Sequence, residues 1–372
     1  MSSAGGAGGS SPTGAASAAP TQLPAASGST ASTGPTGLPV PGPNGPLAIF
    51  ADVPIKAAFS TAQTGLVAAE GPDGAVFVAG VATQPAQPQV IWVVDGVQPA
   101  AVAEHVTGPV TALAADTANL YVGIASSVYA YSRTTGALVH SWSPTASTRS
   151  GTQVTQVTQL AIAGDRLWGL LTSSDNGPTA VAGSLVEIDP TSTSIVRTIS
   201  GITGAFSFAP GSAGVYYVTK QSTALVEQTN NGATASAPTH QAVNLELSGP
   251  SAIQAVAVVG DQVVLQHDAG QGLDAVLNTY DAGSLAGPSP SISFSAAEQL
   301  VSTPSGLFVI GNPDTGACAA GQQICVRRFS LSGGNVGASL ALPDDTLATT
   351  LTGPYPSVVL GAGSDLHVLR IS

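Results

Sequence analysis

Short apolar runs separated by turn residues recur along the chain, and the most regular of them is a hydrophobic triplet, usually with an aromatic at its centre. It appears as Val76-Phe77-Val78, Leu120-Tyr121-Val122, Leu167-Trp168-Gly169, Val215-Tyr216-Tyr217, Val263-Val264-Leu265, Leu307-Phe308-Val309 and Val358-Val359-Leu360. Successive copies are spaced about 47 residues apart, in the range of roughly 40–50 residues that a four-stranded propeller blade occupies. Seven copies predict an all-β fold, a seven-bladed β-propeller of four-stranded antiparallel blades.

Within each unit the pattern divides into four strands. The innermost is rich in small and aliphatic residues, as in Thr111-Ala112-Leu113-Ala114 and Gln159-Leu160-Ala161-Ile162-Ala163, which suits the crowded wall of a central channel. A tight turn follows, marked by Pro72-Asp73-Gly74, Ala118-Asn119, Gly164-Asp165-Arg166 or Gly260-Asp261-Gln262, residue types that tolerate positive φ or cap the turn. The triplet lies on the second strand. The third ends in a hydrophobic residue followed by Asp or Ser, as in Val94-Asp95, Ile188-Asp189 and Tyr280-Asp281. The outer strand alternates, as in Ile195-Val196-Arg197-Thr198-Ile199 and Val243-Asn244-Leu245-Glu246-Leu247, so one face can meet solvent.

The last unit stops after a third strand, Leu366-His367-Val368-Leu369-Arg370-Ile371. An uncovered edge there would invite aggregation. Val53-Pro54-Ile55-Lys56-Ala57-Ala58-Phe59 precedes the first unit at the distance of an outer strand, and Pro54 is tolerable on an outermost strand. The N-terminal strand is therefore expected to complete the seventh blade and close the ring. Residues 47–372 form the propeller on this reading. Residues 1–46, rich in Gly, Ser, Pro and Ala, bury too little apolar surface to order and are expected to be a flexible tether.

Composition narrows the partners. Charged residues make up 8% of the chain, the net charge is −12, and Lys56 and Lys220 are its only lysines. No basic stripe exists for a phosphate backbone, so nucleic acid is not an expected partner. Cys318 and Cys325 bracket a short Gly-containing loop and are expected to form a disulfide, which implies an oxidising compartment. No apolar run is long enough to span a bilayer. The Ser-Ser-Ala-Gly-Gly start resembles the segment that follows the lipidated cysteine of a bacterial lipoprotein, with Met1 in place of that cysteine. The expected location is therefore extracytoplasmic (periplasm, outer-membrane surface or secreted), lipid-anchored, and the expected state is a monomer.

Two segments carry a further likeness. Val128-Tyr129-Ala130-Tyr131-Ser132-Arg133-Thr134-Thr135-Gly136-Ala137-Leu138-Val139-His140-Ser141-Trp142 resembles the blade motif of quinoprotein-like propellers. Leu185-Val186-Glu187-Ile188-Asp189-Pro190-Thr191-Ser192-Thr193-Ser194-Ile195-Val196 is similar to the YVTN-type seven-bladed repeat. The resemblance implies blade geometry over residues 47–372. It implies no single activity, because the fold serves binding scaffolds, outer-membrane assembly lipoproteins, lactonases, lyases and quinone-dependent dehydrogenases.

A site must therefore be argued from side chains. The five histidines are spread round the ring, and most aspartates occupy equivalent turns. No nucleophile elbow or phosphate loop is present, and no catalytic residue, metal site or cofactor is expected. The regular aromatics read as packing between blades, while Trp92 and Trp142 are candidates for exposure. Glu70, Asp116 and Glu298 fall on or beside innermost strands and are expected to face the channel. Gln63, Gln159, Gln254 and Gln299 lie near the starts of innermost strands, where they could line one mouth and offer neutral donors and acceptors. The leading function is a non-catalytic scaffold presenting loops and channel mouth to a protein or glycan of the cell envelope. The alternative is a hydrolase or lyase using an axial metal held by Glu70, Asp116 or Glu298.

Overall fold

The computed structural model describes residues 47–55, 63–82, 88–95, 101–144, 155–173, 182–203, 208–212, 214–219, 224–230, 240–242, 253–268, 274–288, 292–295, 297–303, 306–311, 318–330, 334–343, 346–353, 355–362 and 365–371. Among them are seven four-stranded antiparallel sheets and no helix. The tether call for residues 1–46 lies outside these residues, as does the strand expected at 243–247.

After β1 (Ile49–Ile55), blade 1 is β2 (Gln63–Glu70), β3 (Val76–Ala82), β4 (Pro88–Val94) and β5 (Ala101–Thr107). Blade 2 is β6 (Val110–Ala115), β7 (Asn119–Ile124), β8 (Ser127–Ser132) and β9 (Leu138–Trp142). Blade 3 is β10 (Thr155–Ala163), β11 (Arg166–Ser173), β12 (Ala182–Ile188) and β13 (Ile195–Thr203). Blade 4 is β14 (Phe208–Pro210), β15 (Gly214–Thr219), β16 (Ala224–Thr229) and β17 (His240–Ala242). Blade 5 is β18 (Ile253–Val259), β19 (Gln262–Asp268), β20 (Asp274–Asp281) and β21 (Ile292–Ser295). Blade 6 is β22 (Ala297–Thr303), β23 (Gly306–Gly311), β24 (Cys325–Ser330) and β25 (Gly334–Ala341). Blade 7 takes β26 (Thr346–Thr352), β27 (Ser357–Ala362) and β28 (Asp365–Ile371), and its fourth strand is β1, in the order β26-β27-β28-β1. Strand β1 runs antiparallel to β28, with Val53 opposite Val368 and Ile55 opposite Leu366.

The innermost strands contact one another in sequence, and β2 meets β26, so the blades form a ring. The hydrophobic core is divided accordingly. Each of the seven buried clusters joins two neighbouring blades. Four-stranded sheets cannot bury both faces alone, so each stacks on the next. The triplet centres do this packing: Phe77, Tyr121, Trp168, Tyr216, Val264, Phe308 and Val359 are all buried. Strand β1 supplies Val53 and Ile55 to the cluster between blades 7 and 1, against Val76, Val78 and Val94. Trp142 departs from the exposure expected of it. It is buried beside Tyr121, ring centroids 6.4 Å apart, and its Nε1 donates to the Ser192 carbonyl of blade 3 at 3.1 Å.

Turn aspartates cap their own backbones. Asp189 Oδ1 accepts from the Thr191 N–H at 2.9 Å, and Asp281 Oδ1 from the Ser284 N–H at 2.8 Å. These bonds hold both carboxyls below the usual carboxylate range. Cys318 and Cys325 are joined by a disulfide, with Cα atoms 5.6 Å apart, at the entry to β24.

Candidate functional site

The innermost strands share an irregularity near their starts. The pairing of each with its second strand slips by one residue in β2, β6, β10, β18, β22 and β26, leaving Thr64, Thr111, Thr158, Gln254, Glu298 and Leu347 unpaired in the ladder. A bulge at the same rank in six blades bends the strands together and re-aims the residues beside it. Just inside this ring of bulges lies a cavity of about 700 Å³.

The described residues of the cavity wall are uncharged. Thr111, Thr158, Gln159, Gln266, Gln299 and Thr350 supply its polar groups, set among Leu66, Leu113, Leu160, Val256, Leu300 and Val301. No aromatic side chain is among the described residues of the wall. The described lining comes from blades 1, 2, 3, 5, 6 and 7; none of it is from blade 4, whose innermost strand β14 has 3 residues.

Two of the expected glutamines are on this wall, and each is also a tie between blades. Gln159 Nε2 donates to the Phe208 carbonyl at 2.7 Å while its Oε1 accepts from the Phe208 N–H at 3.1 Å. Gln299 Oε1 accepts from the Leu351 N–H at 2.7 Å; its Nε2 donates to Thr350 Oγ1 at 3.0 Å and the Leu351 carbonyl at 3.3 Å. Each side-chain amide thus pairs with a peptide unit of the next blade as a strand neighbour would. Thr111 Oγ1 donates similarly to the Val157 carbonyl at 2.5 Å, joining blades 2 and 3. Gln63 lies at the start of β2 and Gln254 and Glu298 at bulges of β18 and β22. The side chains of these three lie outside the described residues.

Glu70 and Asp116 are not on the cavity wall. Both follow the channel-lining part of their strands, at the opposite end from the bulges. Asp116 is a turn residue: Oδ1 accepts from the Ala118 and Asn119 N–H groups at 2.7 and 2.6 Å, and Oδ2 from the Tyr121 hydroxyl at 2.6 Å. Glu70 is buried between blades 1 and 7, with Oε1 3.5 Å from Arg370 Nη1. Glu187, also buried, lies 2.7 Å from Arg197 Nε and 3.6 Å from Arg166 Nε. Burial pushes its carboxyl above the usual range against the pull of those two arginines. Asp73 pairs with Arg133 at 2.5 Å, and Arg133 also stacks 5.0 Å over Phe77. Glu70–Arg370 and Asp73–Arg133 escaped sequence reading because their members lie 300 and 60 positions apart, and Glu187–Arg197 because it forms across two paired strands. The described residues contain no group of three or more His, Cys, Asp or Glu able to hold a metal ion.

No family model and no curated protein matches the chain by sequence. Its fold is similar to solved propellers. The WD40 domain of Toxoplasma gondii coronin superposes with a TM-score of 0.55 at 10% identity, over 90% of this chain and 88% of that one. BBS1N, crystallised with ARL6DN, gives a TM-score of 0.55 at 13% identity, over 87% and 96%. PorZ of Porphyromonas gingivalis, described as an essential bacterial surface component of the type-IX secretion system, gives 0.52 at 15% identity. That match covers 87% of this chain but 38% of PorZ. At such identities the likeness is one of fold. The class is therefore the seven-bladed β-propeller.

Proposed function

We propose that the protein is a non-catalytic binding scaffold whose ligand-facing surface is the bulged mouth of the central cavity. The observation that carries this reading is the uncharged character of the wall's described residues. Thr hydroxyls, Gln amides and aliphatic side chains surround about 700 Å³ at the axis, within the size range of ligand sites. Glu70, Asp73, Asp116 and Glu187, by contrast, are engaged between blades or within turns. An axial metal hydrolase or lyase needs carboxylates on this wall, and among its described residues there is none.

Between a protein and a glycan partner, the wall favours protein. Sugar rings bind well against aromatic faces, and the described residues of the wall offer none. Amide and hydroxyl groups alternating with Leu and Val match an uncharged, extended peptide segment. The similar propellers include one crystallised with a protein partner and one bacterial surface component. The disulfide supports an extracytoplasmic location, and residues 1–46 are proposed as a tether to a lipid anchor.

Calorimetry and NMR test the reading. Peptides selected from a displayed library should be uncharged and should shift resonances of Thr111, Thr158 and Gln299. Mg²⁺, Ca²⁺, Mn²⁺ and Zn²⁺ should leave the melting temperature unchanged. A thermal shift with one of these cations, with resonance changes at the axis, would favour the metal enzyme instead.

A further inference from the structure

We infer that the disulfide-closed loop of blade 6 is a second contact surface for the peptide segment seated in the cavity, and that it grips the residues leaving the mouth. This role rests on the cavity being the peptide site, and it adds where the same partner makes its next contact.

Cys325 opens β24 opposite Gly311 on β23, and Gly311 lies opposite Ala297 at the start of β22, where the bulge of blade 6 falls. The disulfide therefore stands at the bulged end of the ring, two strands outward from Gln299 and Leu300 of the cavity wall. Strands in a sheet are roughly 4.8 Å apart, so the loop begins about 10 Å from that wall. An extended peptide, rising about 3.3 Å per residue, covers the distance in about three residues.

The fold does not require this loop. The connection between second and third strands takes residues 125–126 in blade 2 and 363–364 in blade 7, but 312–324 in blade 6. Its described part, residues 318–324, is nevertheless held at several points besides the disulfide. The Ala319 N–H lies 3.2 Å from both Gln322 Oε1 and Ser339 Oγ, the Ser339 hydroxyl donates to Gln322 Oε1 at 2.7 Å, and the Gln322 N–H donates to the Ala319 carbonyl at 3.1 Å. Gln322 Nε2 reaches the Ser339 carbonyl at 3.4 Å, which fastens the loop to β25. At the root of the loop Ile324 packs against the apolar cluster between blades 6 and 7, and its carbonyl accepts from the Leu342 N–H at 2.8 Å.

These bonds hold up a solvent-facing tip. Ala319, Ala320, Gly321 and Gln323 are exposed, and Gly321 takes a φ of 87°, which lets the chain turn back. Among the described residues none hydrogen-bonds to Ala320, Gly321 or Gln323, which leaves peptide groups and a carboxamide for a partner. The described loop carries no charge, like the described cavity wall, in a chain of net charge −12. One uncharged extended segment therefore suits both surfaces. A loop ordered before binding loses little conformational freedom on contact, and that is what the disulfide contributes to affinity.

The test uses the full chain and uncharged peptides selected on the wild type from a displayed library. Binding kinetics are compared for Ala320→Arg, which places a charge on the exposed tip, for Cys318→Ser/Cys325→Ser, and for Ala255→Trp, which fills the cavity from β18. We expect Ala320→Arg to bind about three- to tenfold more weakly, mostly through faster dissociation, and the double cysteine variant to lose affinity in the same direction. Trimming the peptide by about three residues at one end should abolish the difference between wild type and Ala320→Arg, and with it the peptide's shifts of the Ala320 and Gly321 amide resonances. Wild-type affinity in Ala320→Arg would overturn the loop as a contact, as would Ala320 and Gly321 resonances unmoved by every selected peptide; a loss in Ala255→Trp would then leave the cavity standing alone. Undiminished binding to Ala255→Trp would overturn the cavity and the loop's place beside it. Ala320 is exposed, so its variant decides the matter even if the cysteine variant does not fold.

Discussion

Gln159 and Gln299 each lie on the cavity wall and tie two neighbouring blades together. Their positions at the starts of innermost strands were visible in the spacing, and both line the cavity. Their bidentate ties to Phe208 and Leu351 were not visible, because the partners lie 49 and 52 residues away on another blade. Gln299→Leu, similar in size but without the amide, should lower stability by about 1–3 kcal/mol in urea unfolding, the cost of leaving a buried peptide unit unsatisfied. An unchanged midpoint would show that water replaces the tie. Titration also acts at this scale. The depressed carboxyls of Asp189 and Asp281 contribute stability above their unfolded pKa of 3.8 that is lost as pH falls through their lower folded values. The raised carboxyls of Glu70 and Glu187 contribute stability that is lost as pH rises from 4.5. The melting temperature should therefore peak in mild acid; a continuous rise from pH 5 to pH 8 would contradict these assignments.

Among the elements, β1 has the largest consequence for its length. It pairs with β28 and buries Val53 and Ile55 between blades 7 and 1. Those two side chains alone account for about 3–6 kcal/mol of burial. Removing residues 47–55 should therefore lower the melting temperature far more than removing 1–46, and equal values for the two truncations would refute the clasp. The eight-residue loop closed by Cys318 and Cys325 restrains the unfolded chain, so reduction should cost about 2–3 kcal/mol if strain is absent. The clasp was legible because a missing outer strand and a strand-like segment at the right distance both appear in the chain. The bulges were not. A bulge is a mismatch of register between two strands, and no single strand's hydrophobic pattern records it.

At the scale of the molecule, the repeat was legible because every blade must bury both faces against its neighbours, and seven interfaces impose the same apolar triplet seven times. The charged groups obey no such period. Glu70 and Arg370 are 300 positions apart in the sequence and meet only because the ring closes. Their place in that seam, with Asp116 in a turn, leaves only neutral groups among the described residues of the cavity wall, which supports the binding reading over metal chemistry. The measurement that tests this most directly compares the wild type with Ala255→Trp, which fills the cavity from β18. Uncharged peptides selected on the wild type should bind the variant at least about tenfold more weakly, a loss of about 1.4 kcal/mol, while its melting temperature stays close to that of the wild type. Undiminished binding to a folded Ala255→Trp variant would place the ligand elsewhere on the ring and contradict the cavity as the working site.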